Sequence, residues 1–173
     1  YGACSTMALT LCNSAMLIDA GAHCCVAGAS SHFASSERQF RYPLEYGGQR
    51  PPTSQWTVTG AGAAVVVKNG NGPKIKAIHI GTITDLGIKD ANNMGAAMAP
   101  AAAKTISDFL DDTQTTADDY DLILTGDLGY TGSTLLHEVL ALEYHKNIKS
   151  VHNDCGLMIY DLKEQDVNSG GSG

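Results

Sequence analysis

Cys4 is the residue in this chain best placed for chemistry. It sits in Gly2-Ala3-Cys4-Ser5-Thr6-Met7, among small residues that let backbone or ligand approach the sulfur. Directly behind it, Leu9, Cys12, Met16, Leu17 and Ala20 recur at helical spacing, and Gly21 is placed to end the helix. Cys4 then falls in or just before the first helical turn, where unpaired amides and the positive end of the dipole favour a thiolate over a thiol. The plainer reading is a small buried side chain, as most free cysteines are. A second concentration of chemistry lies in the polar stretch 30–55. There His32, Arg38, Arg41 and Arg50 are interleaved with Phe33, Phe40, Tyr42 and Tyr46. A loop of this length in a compact domain is functional or disordered, and its aromatic content argues against disorder. Arg38 and Arg41 are three apart and share a face if the backbone turns helically. Each arginine is equally well explained by a surface or interface salt bridge.

Other candidates are weaker. Asp85, Asp90, Asn92 and Asn93 do not have EF-hand spacing, and no glutamate closes the set, so turn and capping roles fit better. His23, His79, His145 and His152 form no visible constellation. The five cysteines make no C-x-x-C pair and read as reduced thiols, not as a disulfide framework or a zinc site.

The 173 residues suffice for one domain with a substantial core. A net charge of −7 argues against nucleic-acid binding and requires a local basic site for any anionic ligand. The longest apolar run, Ala61 to Val67, is strand-sized and broken by Gly62, so no segment reads as a membrane span or a signal peptide. Both ends look cut: the chain opens without methionine and stops in a glycine-rich turn.

The elements that must position these residues can be read in order. His23 to Ala29 suits a buried strand. Trp56 to Lys68 reads as a turn feeding a central strand, with Asn69 to Pro73 as the next turn. Lys74 to Ile83 alternates (Ile75, Ala77, Ile78, Ile80) and predicts a further strand. Met94 to Leu110 predicts a helix with Met98, Ala101, Ala102, Thr105, Ile106 and Phe109 on one face; Pro100 fits a start near its own position, with Met94-Gly95 in a loop or first turn. Tyr120 to Thr125 predicts a strand. Thr134 to Tyr144 predicts a helix with Leu135, Val139 and Leu142 inward, and Leu136 as a further candidate. Cys155 to Tyr160 predicts a last strand. This order implies an α/β fold with a mostly parallel central sheet.

Three motifs in order resemble the thiolase superfamily: Gly2 to Met7 its nucleophile region, Thr59 to Val66 its glycine-rich segment, and Met94 to Ala101 with Asp118 to Ile123 its Met-Gly, proline and acidic-turn pattern. Ser31 to Arg41, Gln49 to Gly60 and Asp85 to Pro100 carry a closer resemblance, to the stage V sporulation protein AD family, along essentially the whole chain. The resemblance implies a thiolase-like layered α/β fold, present in part. Residues 1–73, with the polar loop 30–55, would end the first half, and residues 74–173 would begin the second. It implies a protein that binds dipicolinic acid, with or without calcium, and acts in its uptake into the developing spore. Such a protein would be soluble, peripheral at the forespore or spore inner membrane beside membrane proteins of the same system, and homodimeric at full length. No cofactor is implied.

Thiolase chemistry also needs partners that activate the thiol and hold an oxyanion. The aligned positions read Gly126 and Ser172, which supply neither, so the resemblance implies a binding protein and not an enzyme. Dipicolinic acid is a planar ring with two carboxylates, which calls for cationic forks and flat surfaces. Cys4, His32, Arg38, Arg41, Arg50 and Asp127, the last next to Gly126, are the expected ligand-binding residues. Two alternatives stay open: an active acyltransferase using Cys4, and a scaffold for membrane partners with a vestigial pocket.

Overall fold

The computed structural model describes residues 2–32 and 50–172. Arg38, Arg41 and most of the polar stretch therefore lie outside the described residues. The chain is a mixed α/β protein, with four α-helices and six short strands among the described residues.

A single 3-10 turn, Ala3–Ser5, leads into α1 (Thr6–Asp19), as the sequence predicts. Gly21, at φ 111°, turns the chain out of the helix while the Ala22 amide returns to the Leu17 carbonyl at 2.9 Å. Two strands follow, β1 (Cys24–Ser31) and, after the short β2 (Trp56–Thr57), β3 (Gly60–Val67). β1 and β3 form an antiparallel ribbon running from Cys24↔Val67 to Ser31↔Gly60. α1 packs on this ribbon. The face carrying Cys25, Ala27, Ala64 and Val66 is the covered one, and Val26, Val65 and Val67 point away into solvent. The expected apolar face of α1 is not what the helix buries. Its buried side chain is Ser14, while Met16 and Leu17 are exposed. The ribbon offers a surface of alanines, and a small side chain lets the helix lie close to it.

Beyond the Asn69–Pro73 turn the expected strand is absent. Residues 74–83 have no regular structure, and Ile83 is 102% exposed. Alternation describes a strand only when another strand accepts its hydrogen bonds, and none of the described residues does so here. The chain next forms α2 (Met94–Thr113), which starts six residues before Pro100. The start is fixed by Asn93, whose side chain accepts the Ala96 amide at 3.1 Å, a cap worth about 1 kcal/mol. Pro100 is accommodated inside the helix although it removes the amide that would reach back to the Ala96 carbonyl.

A 3-10 turn, Ala117–Asp119, leads to β4 (Ile123–Thr125), then α3 (Gly129–Glu143), β5 (His152–Asp154), α4 (Cys155–Ile159) and β6 (Gly171–Ser172). The core lies between α2 and α3. Ala99 and Ala103 meet Leu128, Leu136, Leu140 and Ile148. Gly95 and Gly132 mark the closest approach: a Cβ on Gly95 would stand 2.7 Å from the Gly132 nitrogen. The buried stripe of α2 thus runs Gly95, Ala99, Ala103, Ser107 and Leu110, one position round from the predicted face, because two backbones in contact select the smallest residues. In α3 Leu136 and Leu140 are fully buried, and the expected Leu135 and Val139 pack partly buried against the same core. Leu142 is exposed, since it lies about 120° round the helix from Leu136.

The predicted strand at Cys155 is also corrected. Asp154 accepts the Gly156 amide at 3.1 Å and caps α4 at that point, so the strand is the three residues before it. No continuous parallel sheet forms among the described residues. There are three two-stranded ladders: antiparallel β1–β3, parallel β2–β6 and parallel β4–β5.

Candidate functional site

The site is assembled where three turns meet. The first carries Cys4 ahead of α1, where Ser5 places its hydroxyl on the Gly2 carbonyl at 2.8 Å and caps no α1 amide. The second runs from Thr125 through Gly126 and Asp127 into α3. The third is the 154–156 turn that begins α4. A Cβ added to Gly126 would stand 3.2 Å from the Cys4 carbonyl oxygen, so the first two turns lie close together and a side chain there would need the Cys4 backbone to give by a few tenths of an ångström. The Cys4 side chain itself is half-buried.

Asp154 joins the second and third turns. It is 0% exposed. One carboxylate oxygen receives the Thr125 hydroxyl at 2.6 Å and the Leu128 amide at 2.9 Å; the other receives the amides of Gly129 at 2.9 Å and Gly156 at 3.1 Å. The next two α3 amides are taken by Ser169: Tyr130 donates to its carbonyl at 2.7 Å and Thr131 to its hydroxyl at 3.0 Å. The N-terminus of α3, a natural anion site, is thus closed by groups of the chain itself. Over the 154–156 turn lies the backbone of Gly171, whose carbonyl would be 2.5 Å from a Cβ on Gly156. The backbone of Ser172 pairs with Thr57 in the β2–β6 ladder.

The other expected site residues fall as follows. Asp127 is 4% exposed, and Gln55 donates its side-chain amide to the Asp127 carbonyl at 2.9 Å. Arg50 donates to the Gln55 carbonyl and lies with its guanidinium 4.6 Å from the centre of the Trp56 ring. Burial lowers the Arg50 pKa, and Asp166 partly opposes this. Cys4, Gly126, Asp127 and Arg50 therefore lie along one connected path, with Gln55 between the last two. His32 is exposed just past the end of β1.

Sequence reasoning missed a cluster beside the site. His137 Nε2 lies 2.9 Å from His152 Nδ1, and His152 Nε2 lies 3.0 Å from the Thr125 hydroxyl that reaches Asp154. Burial lowers both histidine pKa values. Lys149 adds to the effect at His137; at His152 the His137 ring adds to it and Asp154 opposes it. The Cys155 thiol is pushed up, by burial first and then by Asp154 and Asp127, which marks it as an unreactive thiol. The missed signal for Asp154 was local, an aspartate two residues before a glycine at a helix start. No local signal joins His137 to His152.

A half-buried cysteine, a closed helix terminus and two buried aspartates thus meet in one region of an α/β protein. Comparison with known proteins then gives the family. The family model for Stage V sporulation protein AD matches residues 1–173. The chain is also 48% identical over 174 residues to the Stage V sporulation protein AD of Bacillus subtilis (strain 168), covering 100% of this chain and 51% of that protein. The chain belongs to the stage V sporulation protein AD family. It spans about half the length of the curated relative it matches. Among the described residues, no helix is long and apolar enough to cross a membrane, and no group of three or more His, Cys, Asp or Glu side chains is arranged to hold a metal ion.

Proposed function

We propose that this chain is part of a sporulation protein that binds dipicolinic acid without chemistry and serves its uptake into the developing spore. The observation that carries the reading is the contact between Gly126 and Cys4. In the thiolase-like alignment Gly126 takes the place of a histidine or asparagine. A Cβ there would stand 3.2 Å from the Cys4 carbonyl and ask its backbone to give by a few tenths of an ångström, which supports a site without that partner. A cysteine at the head of α1 facing a glycine at the position of the family's histidine or asparagine suits a wall of a binding cavity better than a nucleophile.

Within this reading the roles of the basic residues separate. Arg50 is engaged by Gln55 and Trp56 and acts by holding the segment that contacts Asp127. The carboxylates of the ligand are then left to Arg38 and Arg41, with His32 at the mouth of the same stretch. A cation such as calcium, brought with the ligand, would relieve the repulsion between a dicarboxylate and the buried Asp127. The membrane proteins of the same sporulation system and a second copy of the full-length protein are the proposed partners, and the inner membrane of the forespore or spore is the proposed place of action.

The test is a calorimetric titration of dipicolinic acid into the full-length protein, with isophthalic acid, which lacks the ring nitrogen, as control. Saturable heat that weakens in Cys4→Ala and in Arg41→Ala supports the reading. Absence of heat at millimolar ligand, together with acylation of Cys4 by an acyl-coenzyme A, would replace it with the enzyme reading.

A further inference from the structure

We propose that the His137–His152 pair is a two-stage proton sensor: it accepts one proton with its contacts intact, and on accepting a second it releases the turn that carries Gly126 and Asp127. The direction of every bond in the cluster follows from Asp154. An ionised carboxylate only accepts, and all four of its contacts are donors. Thr125 has one hydroxyl hydrogen, directed to Asp154 at 2.6 Å; the Asn153 carbonyl at 3.4 Å is the weaker acceptor. The Thr125 oxygen must therefore accept from His152 Nε2. In neutral His152 this leaves Nδ1 as an acceptor, so His137 Nε2 donates to it across 2.9 Å.

One added proton is compatible with this chain wherever it sits. On His137 Nδ1 it makes the existing bond charge-assisted. On His152 Nδ1 it reverses the bond, and His137 accepts through its other tautomer. Two added protons place N–H against N–H and two positive rings in contact, so the rings must part. His152 is the only described donor to the Thr125 hydroxyl, and Thr125 shares its Asp154 oxygen with the Leu128 amide. Parting the rings thus loosens the hold of Asp154 on the start of α3. The charged groups acting on the pair are Lys149 from the turn before β5 and Asp154 at the end of β5. Burial and Lys149 place the second step on the acid side of the ordinary histidine range, while Asp154 opposes them at His152. The sensor rests on the proposed function only for what the turn serves.

The experiment is a ligand-free titration of the intact protein between about pH 8 and about pH 5, following both imidazoles by nitrogen NMR and the amide exchange protection of Leu128 and Gly129. The expected result is coupled titration of the two rings: protection is steady through the first proton and falls at least about tenfold through the second. In Thr125→Val the rings still titrate but the two amides no longer follow them. In His137→Asn the fall becomes a single shallow step. Independent titration of the two rings, or protection in wild type that is unchanged across the second proton, overturns the proposal, and the wild-type measurement decides it even if a variant fails to fold. Because no ligand is present, this outcome is separate from the calorimetric test, which alone decides dipicolinate binding.

Discussion

The α2–α3 region and the β1–β3 ribbon are built from similarly apolar sequence, yet they end in opposite states. Between α2 and α3, Leu136 and Leu140 are fully enclosed, and Asp154 makes four hydrogen bonds without contact with solvent. On the ribbon, one face rests on α1 while Val26 and Val65, directly paired across the strands, are 71% and 67% exposed. The difference teaches that an apolar residue stabilises only if a second layer meets it. In the enclosed region α2 and α3 cover each other, with Leu128 and Ile148 packed into the same core. Among the described residues only α1 covers the ribbon, and only on one face.

The comparison can be sharpened by substitution, measured as urea unfolding of this chain. Asp154→Ala should have the largest effect, at least about 3 kcal/mol, because it strands three amides and a hydroxyl in the interior. Leu136→Ala should cost about 2–5 kcal/mol through the cavity it leaves. Gly132→Ala should cost about 1–3 kcal/mol, since its Cβ would lie 2.8 Å from the Gly95 Cα. Arg50→Ala should cost about 1 kcal/mol, from the Trp56 contact and the Gln55 hydrogen bond. Val65→Thr on the ribbon should stay within about 0.5 kcal/mol. If Val65→Thr proved as costly as Leu136→Ala, the contrast between the two regions would be broken.

Acid provides a second probe of the enclosed region. The pKa values of His137 and His152 are lowered on folding, so the unfolded chain binds more protons as the solution is acidified. Their contribution to stability is complete above the ordinary histidine value of about 6.5 and is lost as pH falls through the lowered values. The thermal midpoint should therefore drop on acidification, and His137→Asn should reduce that drop.

What the sequence made legible was what depends on neighbours along the chain. The extent of α1, its glycine stop, the β1 strand and the Asn93 cap region follow from local pattern and hydrogen bonding, although the face that α1 buries does not. The Asp85, Asp90 and Asn93 side chains do serve turns and a cap, at 2.7 Å to the Gly87 amide, 2.9 Å to Asn92 and 3.1 Å to Ala96. What depends on distant partners was not legible. Ile75, Ile78 and Ile80 alternate like a strand but meet none. Pro100 looks like a helix start, yet Asn93 had already nucleated the turn. At the site, Cys4 and Gly126 could be placed together by resemblance to a family. His137 and His152 could not, because only the parallel β4–β5 ladder and the packing of α3 bring them within 2.9 Å.

The contact between Gly126 and the Cys4 carbonyl also sets how the two turns respond to change. A Cβ at 126 would stand 3.2 Å from that oxygen, so a larger residue there asks the backbone around Cys4 to give by a few tenths of an ångström. A substitution at 126 is therefore felt at the head of α1 as much as in its own turn.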